Sequence, residues 1–370
     1  MRYCKKCVMP DTRPGMKFGE DGVCYPCRNY ERRKTVDWAA RWKELEALAD
    51  KYRGSNGNYY DCIITVSGGK DSYYQTHVFK EKLNMNPLLV SVDNFSWTNT
   101  GRHNWGNMLK TFGVDAHVMS LNPQICKKMF RKALEKLGSP TWYFDKAIYA
   151  YPLQIAIKLG IPLIVYGENT NYEYGGPLTK ESYSAIEQIN NDVVKPVNWD
   201  IFVDDEIKMK DLNPSVYPSA EEIKKAKLEP VFLSYFVPWD GYQNHIFAKT
   251  RGFKTLEDTG EWKREGYIEN YDQIDTVGYL THTWFKFPKF GHQRVTEVAS
   301  LWIRSGRMTR DEAVKLVNEE DYKLDREMLR DFLDFIEYKD EDFWKVVDRF
   351  ANTAIVEKRG GLWRLKNPCQ

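Results

Sequence analysis

No apolar run in the 370-residue sequence approaches the roughly 18 residues needed to span a bilayer, so no membrane partner is expected. The opening Met1-Arg2-Tyr3-Cys4 lacks the apolar core of a signal peptide, which predicts a cytoplasmic protein. A charge excess is missing too: 54 basic residues against 52 acidic leave a net charge of +2. A non-specific nucleic-acid binder gains affinity by displacing phosphate counterions and needs a clear basic surplus, so nucleic acid is not an expected partner. Neither the Walker pattern G-x-x-x-x-G-K-[ST] nor a convincing G-x-G-x-x-G occurs, which argues against P-loop and dinucleotide-binding chemistry. Internal repeats and low-complexity tracts are also missing.

Cysteine is sparse but unevenly placed. Four of the seven cysteines form the pairs C-K-K-C (Cys4, Cys7) and C-Y-P-C (Cys24, Cys27). The 16 residues between the pairs include Pro10, Pro14, Gly15, Gly19 and Gly22 and hold too little apolar material to fold alone. In a cytosolic chain that spacing predicts a metal before disulfides, and four thiolates around one structural Zn²⁺ would supply the missing folding energy. Catalytic zinc is not expected, because four thiolates leave no position open for water. A site without its metal, or a redox pair, is the other reading. Aromatic content is rich at 14%, which core packing explains first; aromatic faces also suit the apolar faces of pyranose rings.

Periodicity divides the chain into a zinc-binding segment (1–34), a linking helix with its loop (35–58), a strand-and-helix region (59–240) and a mainly helical region (241–370). Residues 36–52 carry Trp38, Trp42, Leu45 and Leu48 at helical spacing, and Gly54 to Asn58 end that helix. Asp61 to Val66 reads as a buried parallel strand, followed by a helix over 71–84 with Tyr74, Val78, Phe79 and Leu83 inward. Strands are predicted at Pro87–Val92, Ala116–Met119, Pro162–Tyr166 and Val231–Val237, with helices over 102–112, 123–137 and 145–159. This alternation implies an α/β fold, a doubly wound parallel sheet covered on both faces. Residues 200–228, charged and broken by Pro214 and Pro218, read as an excursion. Beyond residue 241, Thr309-Arg310-Asp311-Glu312 is a capping box. Met328, Leu329, Phe332 and Ile336 form one apolar stripe, and Phe343, Val346, Val347 and Phe350 another.

The chemistry concentrates at Ser67-Gly68-Gly69-Lys70-Asp71-Ser72, between a strand and a helix. Two glycines allow a tight turn that brings backbone N–H groups to an anion, and the following helix points its positive end there. Ser67 and Ser72 add hydroxyl donors and Lys70 a charge, while Asp71 makes sense beside phosphates if Mg²⁺ accompanies them. S-G-G-K-D-S resembles the PP-loop of the ATP pyrophosphatases related to GMP synthetase and NAD synthetase. The resemblance implies ATP bound at the C-terminal strand ends and split to AMP and pyrophosphate, with ATP and Mg²⁺ required. By the same likeness Asp93, in Val92-Asp93-Asn94, and Gly167, Glu168 and Asn169 lie near the nucleotide and the activated substrate. Asp93 and Glu168 are candidates to hold Mg²⁺ or orient the nucleophile, and either could instead cap the next element.

Within such enzymes the nucleophile is nitrogen or sulfur. Only Cys62, Cys126 and Cys369 remain outside the zinc pairs, no two of them close, which disfavours sulfur transfer. Residue 2 is Arg2 and no G-x-C-x-G elbow occurs, so ammonia would come from solution or a partner. The opening C-x-x-C-V-M-P-D-T-R-P with C-Y-P-C, S-G-G-K-D-S, Y-G-E-N, K-F-G-H-Q-R-V-T-E and G-R-M-T-R-D-E-A together resemble the N-acetyl sugar amidotransferases of bacterial surface-polysaccharide and flagellin-sugar pathways, over nearly the full length. That resemblance implies conversion of an acetamido group of a small-molecule sugar to acetamidino, by adenylation of the amide oxygen and attack of ammonia. It also implies a separate glutaminase similar to the histidine-pathway HisH and HisF proteins. Lys289, Gly291, His292, Gln293 and Arg294 become candidate substrate contacts, with Arg294 able to clamp a carboxylate or serve in a salt bridge. The competing readings are a tRNA-modifying PP-loop enzyme whose zinc ribbon grips RNA, and a non-catalytic zinc and nucleotide scaffold.

Overall fold

The computed structural model describes residues 1–57, 59–93, 96–175, 181–186 and 197–370. Asn58 and Asn94, named above at a helix end and beside Asp93, lie outside the described residues. Five strands, β1 (Cys62–Thr65), β2 (Pro87–Val92), β3 (Asp115–Met119), β4 (Leu163–Tyr166) and β5 (Glu229–Phe232), form one parallel sheet in the order β3-β2-β1-β4-β5. Ile63 is paired with Leu88 on one side and Ile164 on the other. The apolar runs of β1, β2 and β4 are needed because helices cover both faces of the sheet. Ile63, Val90 and Ile164 face one core, whereas Ile64, Leu89 and Val165 face the other.

The helices fall where caps and apolar periodicity put them. They are α1 (Tyr25–Arg33), α2 (Trp38–Tyr52), α3 (Lys70–Thr76), α4 (Asn99–Phe112), α5 (Pro123–Leu137), α6 (Trp142–Leu159) and α7 (Thr170–Tyr174). Asp37, Thr98 and Asn122 cap α2, α4 and α5 through their side chains. From β1 the chain winds outward through β2 to β3, then crosses back to β4 and β5. The order reverses between β1 and β4, and ligands of open α/β sheets bind in the crevice at such a reversal.

Two expectations change and two features are added. The helix predicted over 71–84 is α3 continued by a π-helical turn, His77–Lys82, in which Tyr73 rather than Tyr74 is fully buried. The strand predicted at Val231–Val237 is Glu229–Phe232 followed by a helical turn, Leu233–Phe236. There Ser234 donates its N–H to Gly167 O (3.0 Å) and its Oγ accepts from Asn169 N (3.2 Å), so the bend satisfies the loop after β4. The excursion is anchored by buried Phe202, Ile207 and Leu212, with Phe202 5.0 Å from Trp142 between ring centroids. The chain closes in a hairpin, β6 (Val356–Arg359) and β7 (Leu362–Leu365), turned by Gly360 and Gly361 at φ of 58° and 79°.

Between Gly241 and Phe350 the chain is helical except for an irregular stretch, mainly residues 260–279, that carries Asp272. The capping box at Thr309 and Glu312 forms, and the stripe Met328, Leu329, Phe332, Ile336 is buried. Trp284, Phe285, Phe332 and Phe343 join the same apolar cluster as Ile63 and Val90, so this region shares the core of the sheet. Among the described residues no helix is long and apolar enough to cross a membrane.

Candidate functional site

Residues 67–72 run from the turn after β1 into the first turn of α3, at the reversal of the sheet. Gly68 has φ +87°, and a Cβ there would lie 3.3 Å from the backbone of Trp105, so both conformation and space require glycine. The Ser72 hydroxyl accepts from Ser67 N (3.1 Å) and Ser67 Oγ accepts from Gly69 N (3.2 Å), which sets the curvature of the loop. Lys70 does not reach into solvent. Its buried ammonium lies 2.7 Å from Asp71 Oδ2 and 2.9 Å from Asp272 Oδ1. Burial alone would lower its pKa, yet the Asp272 and Asp71 carboxylates hold it well above the usual lysine value. Asp71 also accepts from Asn244 Nδ2 (2.8 Å), on the helix Gly241–Thr250.

A cavity of about 310 Å³ opens beside this loop, lined by Ser67, Asp71, Ser72, Trp97, Gly167 and Glu168 among others. Its far wall is aromatic: Phe144, Tyr149, Tyr166 and Tyr279, with Tyr149 and Tyr166 stacked at 5.7 Å. The Glu168 carboxyl is pushed up to about 7, first by burial and then by the Asp71 carboxylate. Two carboxylates that line one cavity are a natural seat for a divalent cation. Gln75 and Gln273 line the same cavity, and their carbonyl oxygens have no partner among the described residues, so both can accept from a bound molecule. A larger hollow of about 610 Å³ lies at the other end of the sheet, near Lys51, Pro162 and Glu229, remote from the loop.

The remaining candidates are dispersed. Asp93, at the end of β2, accepts from Trp97 Nε1 and from Ser120 Oγ (3.0 Å). Asn169 caps α7 by accepting from Tyr172 N (3.2 Å). Lys289 donates to Gly138 O (2.6 Å) at the end of α5, away from the cavity. His292 is 1% exposed and its ring lies 6.3 Å from that of Phe290; burial pushes its pKa down to about 3. Arg294 is buried against Asp272, which places it behind Lys70, and Glu269 and Glu297 lie 3.9 and 3.8 Å from it. Asp272, Asn244, Gln75 and Gln273 had no signal in the sequence: each is an isolated polar residue outside any motif.

Cys4, Cys7, Cys24 and Cys27 are all buried, and their sulfurs lie within 4.8 Å of one another. Cys4 and Cys27 are 4.0 Å apart and Cys7 and Cys24 3.7 Å. A tetrahedron of zinc–sulfur bonds of about 2.3 Å has edges of about 3.8 Å, so the donor set and spacing fit a four-thiolate ion. Backbone N–H groups of Lys6 (3.3 Å) and Cys24 (3.2 Å) point at Cys4 Sγ, as expected around sulfur that carries charge.

Residues 265–367 match the family model described as the LPS biosynthesis protein WbpG-like C-terminal domain. Both K-F-G-H-Q-R-V-T-E and G-R-M-T-R-D-E-A lie inside that match, so the likeness to a surface-polysaccharide family is shown for this part of the chain. An uncharacterized protein of Methanocaldococcus jannaschii is 27% identical over 194 residues, covering 50% of this chain and 65% of that relative's length. Among solved structures, NMN synthetase from Francisella tularensis matches with a TM-score of 0.32 at 9% identity, over 74% of this chain and 94% of that one.

Proposed function

We propose that this protein is an ATP-dependent, AMP-forming N-acetyl sugar amidotransferase, which converts an acetamido group of a bacterial sugar to an acetamidino group. One observation carries the reading. The S-G-G-K-D-S loop stands over a cavity at the reversal of a parallel sheet, and the segment matching a lipopolysaccharide-biosynthesis domain supplies Asp272 to the lysine of that loop, 2.9 Å away.

In this reading the backbone around Gly68 and Gly69 and the start of α3 receive the pyrophosphate end of ATP. Asp71 and Glu168 would hold the Mg²⁺ that accompanies the phosphates, and that ion would supply charge favouring ionised Glu168 despite its raised pKa. The aromatic wall of Phe144, Tyr149 and Tyr279 receives the sugar. The amide oxygen of the sugar attacks the α-phosphorus and pyrophosphate leaves; ammonia then adds to the amide carbon, and AMP departs with that oxygen. What the chain contributes is positioning and charge stabilisation.

All seven cysteines are buried, which supports ammonia reaching the site from a separate glutaminase of the HisH and HisF kind rather than from a thiol-dependent activity of this chain. The four-cysteine cluster holds structural zinc in this account, and the enzyme works in the cytoplasm on a small-molecule sugar. The test is incubation of the purified protein with ATP, Mg²⁺, ammonium and a panel of N-acetylated bacterial sugars, following AMP and product mass. AMP with a sugar product in which one oxygen is replaced by NH is expected. AMP that depends on tRNA and not on sugar would overturn the reading.

A further inference from the structure

The turn that carries Glu168 is weak by itself. Asn169 caps α7, which is only five residues long, and an isolated helix of that length is not stable in water. The N-terminal segment holds it through three sets of contacts. Asn29, 1% exposed on α1, donates its Nδ2 to Tyr172 O (3.0 Å), and Tyr172 returns its hydroxyl to Asn29 O (3.4 Å). Arg33, at the end of α1, forms a buried ion pair with Glu173 and lies 4.8 Å over the Tyr172 ring. Arg13 donates to Gly175 O (3.1 Å), and Met16 packs so tightly there that a Cβ on Gly175 would lie 2.5 Å from its methyl carbon. The link to the cysteines themselves is Arg304. Its Nη1 donates to Glu173 O (2.7 Å), while Nη2 lies 3.9 Å from Cys7 Sγ.

Beyond these contacts, Val8 packs with Val295 and Ala299 and Arg13 pairs with Glu297 (2.7 Å), but the apolar support around the cysteines themselves is thin. The cluster around the four cysteines contains one further buried apolar side chain, Met9. The order of residues 1–34 and the order of the turn after β4 are therefore joined by specific contacts, and the first depends on the thiolate centre.

We infer that the four-cysteine centre is a brace for the cavity: Asn29, Arg33 and Arg304 are positioning residues that transmit its metal occupancy to the turn Glu168–Gly175. The inference rests on the four-thiolate metal reading and is independent of which reaction the cavity performs. Metal content is measured first, with one zinc per chain expected in the full-length protein. Peptide-resolved hydrogen exchange is then followed before and after zinc is removed with a chelator. Removal is expected to speed exchange at least about ten-fold in residues 168–175 as well as in 1–34, while β1 and β2 stay protected. Arg33→Gln, which touches no cysteine, is expected to speed exchange in 168–175 with zinc content and the thiolate-to-cobalt absorption of Co²⁺-substituted protein unchanged. Arg33→Lys, which keeps the charge opposite Glu173, is expected to restore most of the protection. Faster exchange confined to residues 1–34 on zinc removal, or an Arg33→Gln protein that exchanges like the wild type, would overturn the inference. A chain that purifies without metal and ignores the chelator would overturn its metal half.

Discussion

In the sheet, Ile63, Ile64, Leu89, Ile164 and Val165 are fully buried, each packed in one of two clusters that continue into the flanking helices. In the first 34 residues the buried apolar side chains are few, Val8 and Met9 chief among them, and the centre of the segment is sulfur. The first region spreads its stability over many side chains of similar worth. In the proposed account the second concentrates its stability in four thiolates that act together. The sheet lines the cavity directly through β1, β2 and β4, whereas the segment lines no part of it and reaches it only through its hold on α7, whose Thr170 is in the lining. The difference teaches that one wall of the site should respond to substitution in small steps and the other all at once.

The largest expected effect comes from Cys24→Ser. Structural zinc contributes apparent binding free energies on the order of 10 kcal/mol or more, and removing one of four thiolates should release the ion and unfold residues 1–34 together. Native mass spectrometry and near-ultraviolet circular dichroism check it; a variant that keeps its zinc and its segment would erase the contrast. Next is Asp71→Asn, in the loop. On the proposed role of Asp71 in seating Mg²⁺, loss of its charge should lower AMP formation by about 10²–10³-fold, with the fold retained because Lys70 keeps Asp272.

Glu168→Gln should change stability with pH, and the sign follows from the Glu168 pKa of about 7, raised from the ordinary 4.5. A raised carboxyl pKa favours the folded state fully below the unfolded value and loses that contribution as pH rises through the folded one. Without nucleotide, the variant and wild type should melt alike near pH 4.5, and the variant about 2–4 °C higher at pH 8. The smallest effect is in the sheet. Ile64→Val should cost about 1 kcal/mol in urea unfolding and leave AMP formation unchanged, the graded response expected of a distributed core.

The parallel sheet and its loop were legible because an apolar run ending in S-G-G-K-D-S is both a local pattern and a local structure. The four cysteines were legible for the same reason: their spacing is the ligand geometry. What was not legible lies in partnerships across the chain. Asp272 gives no pattern of its own and matters only because folding sets it against Lys70 and Arg294. The stripes at Met328 and Phe343 announced buried faces but not that those faces would cover the sheet, since periodicity reports amphipathicity and not its partner. The closing hairpin did carry a signal, the Gly360-Gly361 pair, but the flanking Val356-Glu357-Lys358-Arg359 and Leu362-Trp363-Arg364-Leu365 lack the clean apolar alternation of a strand.

The central claim is that the amide oxygen of an N-acetylated sugar attacks the α-phosphorus of ATP. A sugar labelled with oxygen-18 in that acetamido group, incubated with the enzyme, ATP, Mg²⁺ and ammonium, tests it in one mass spectrum. The account predicts AMP carrying one atom of the label and an amidine product carrying none at that carbon. Unlabelled AMP, with the label retained in the sugar, would contradict it.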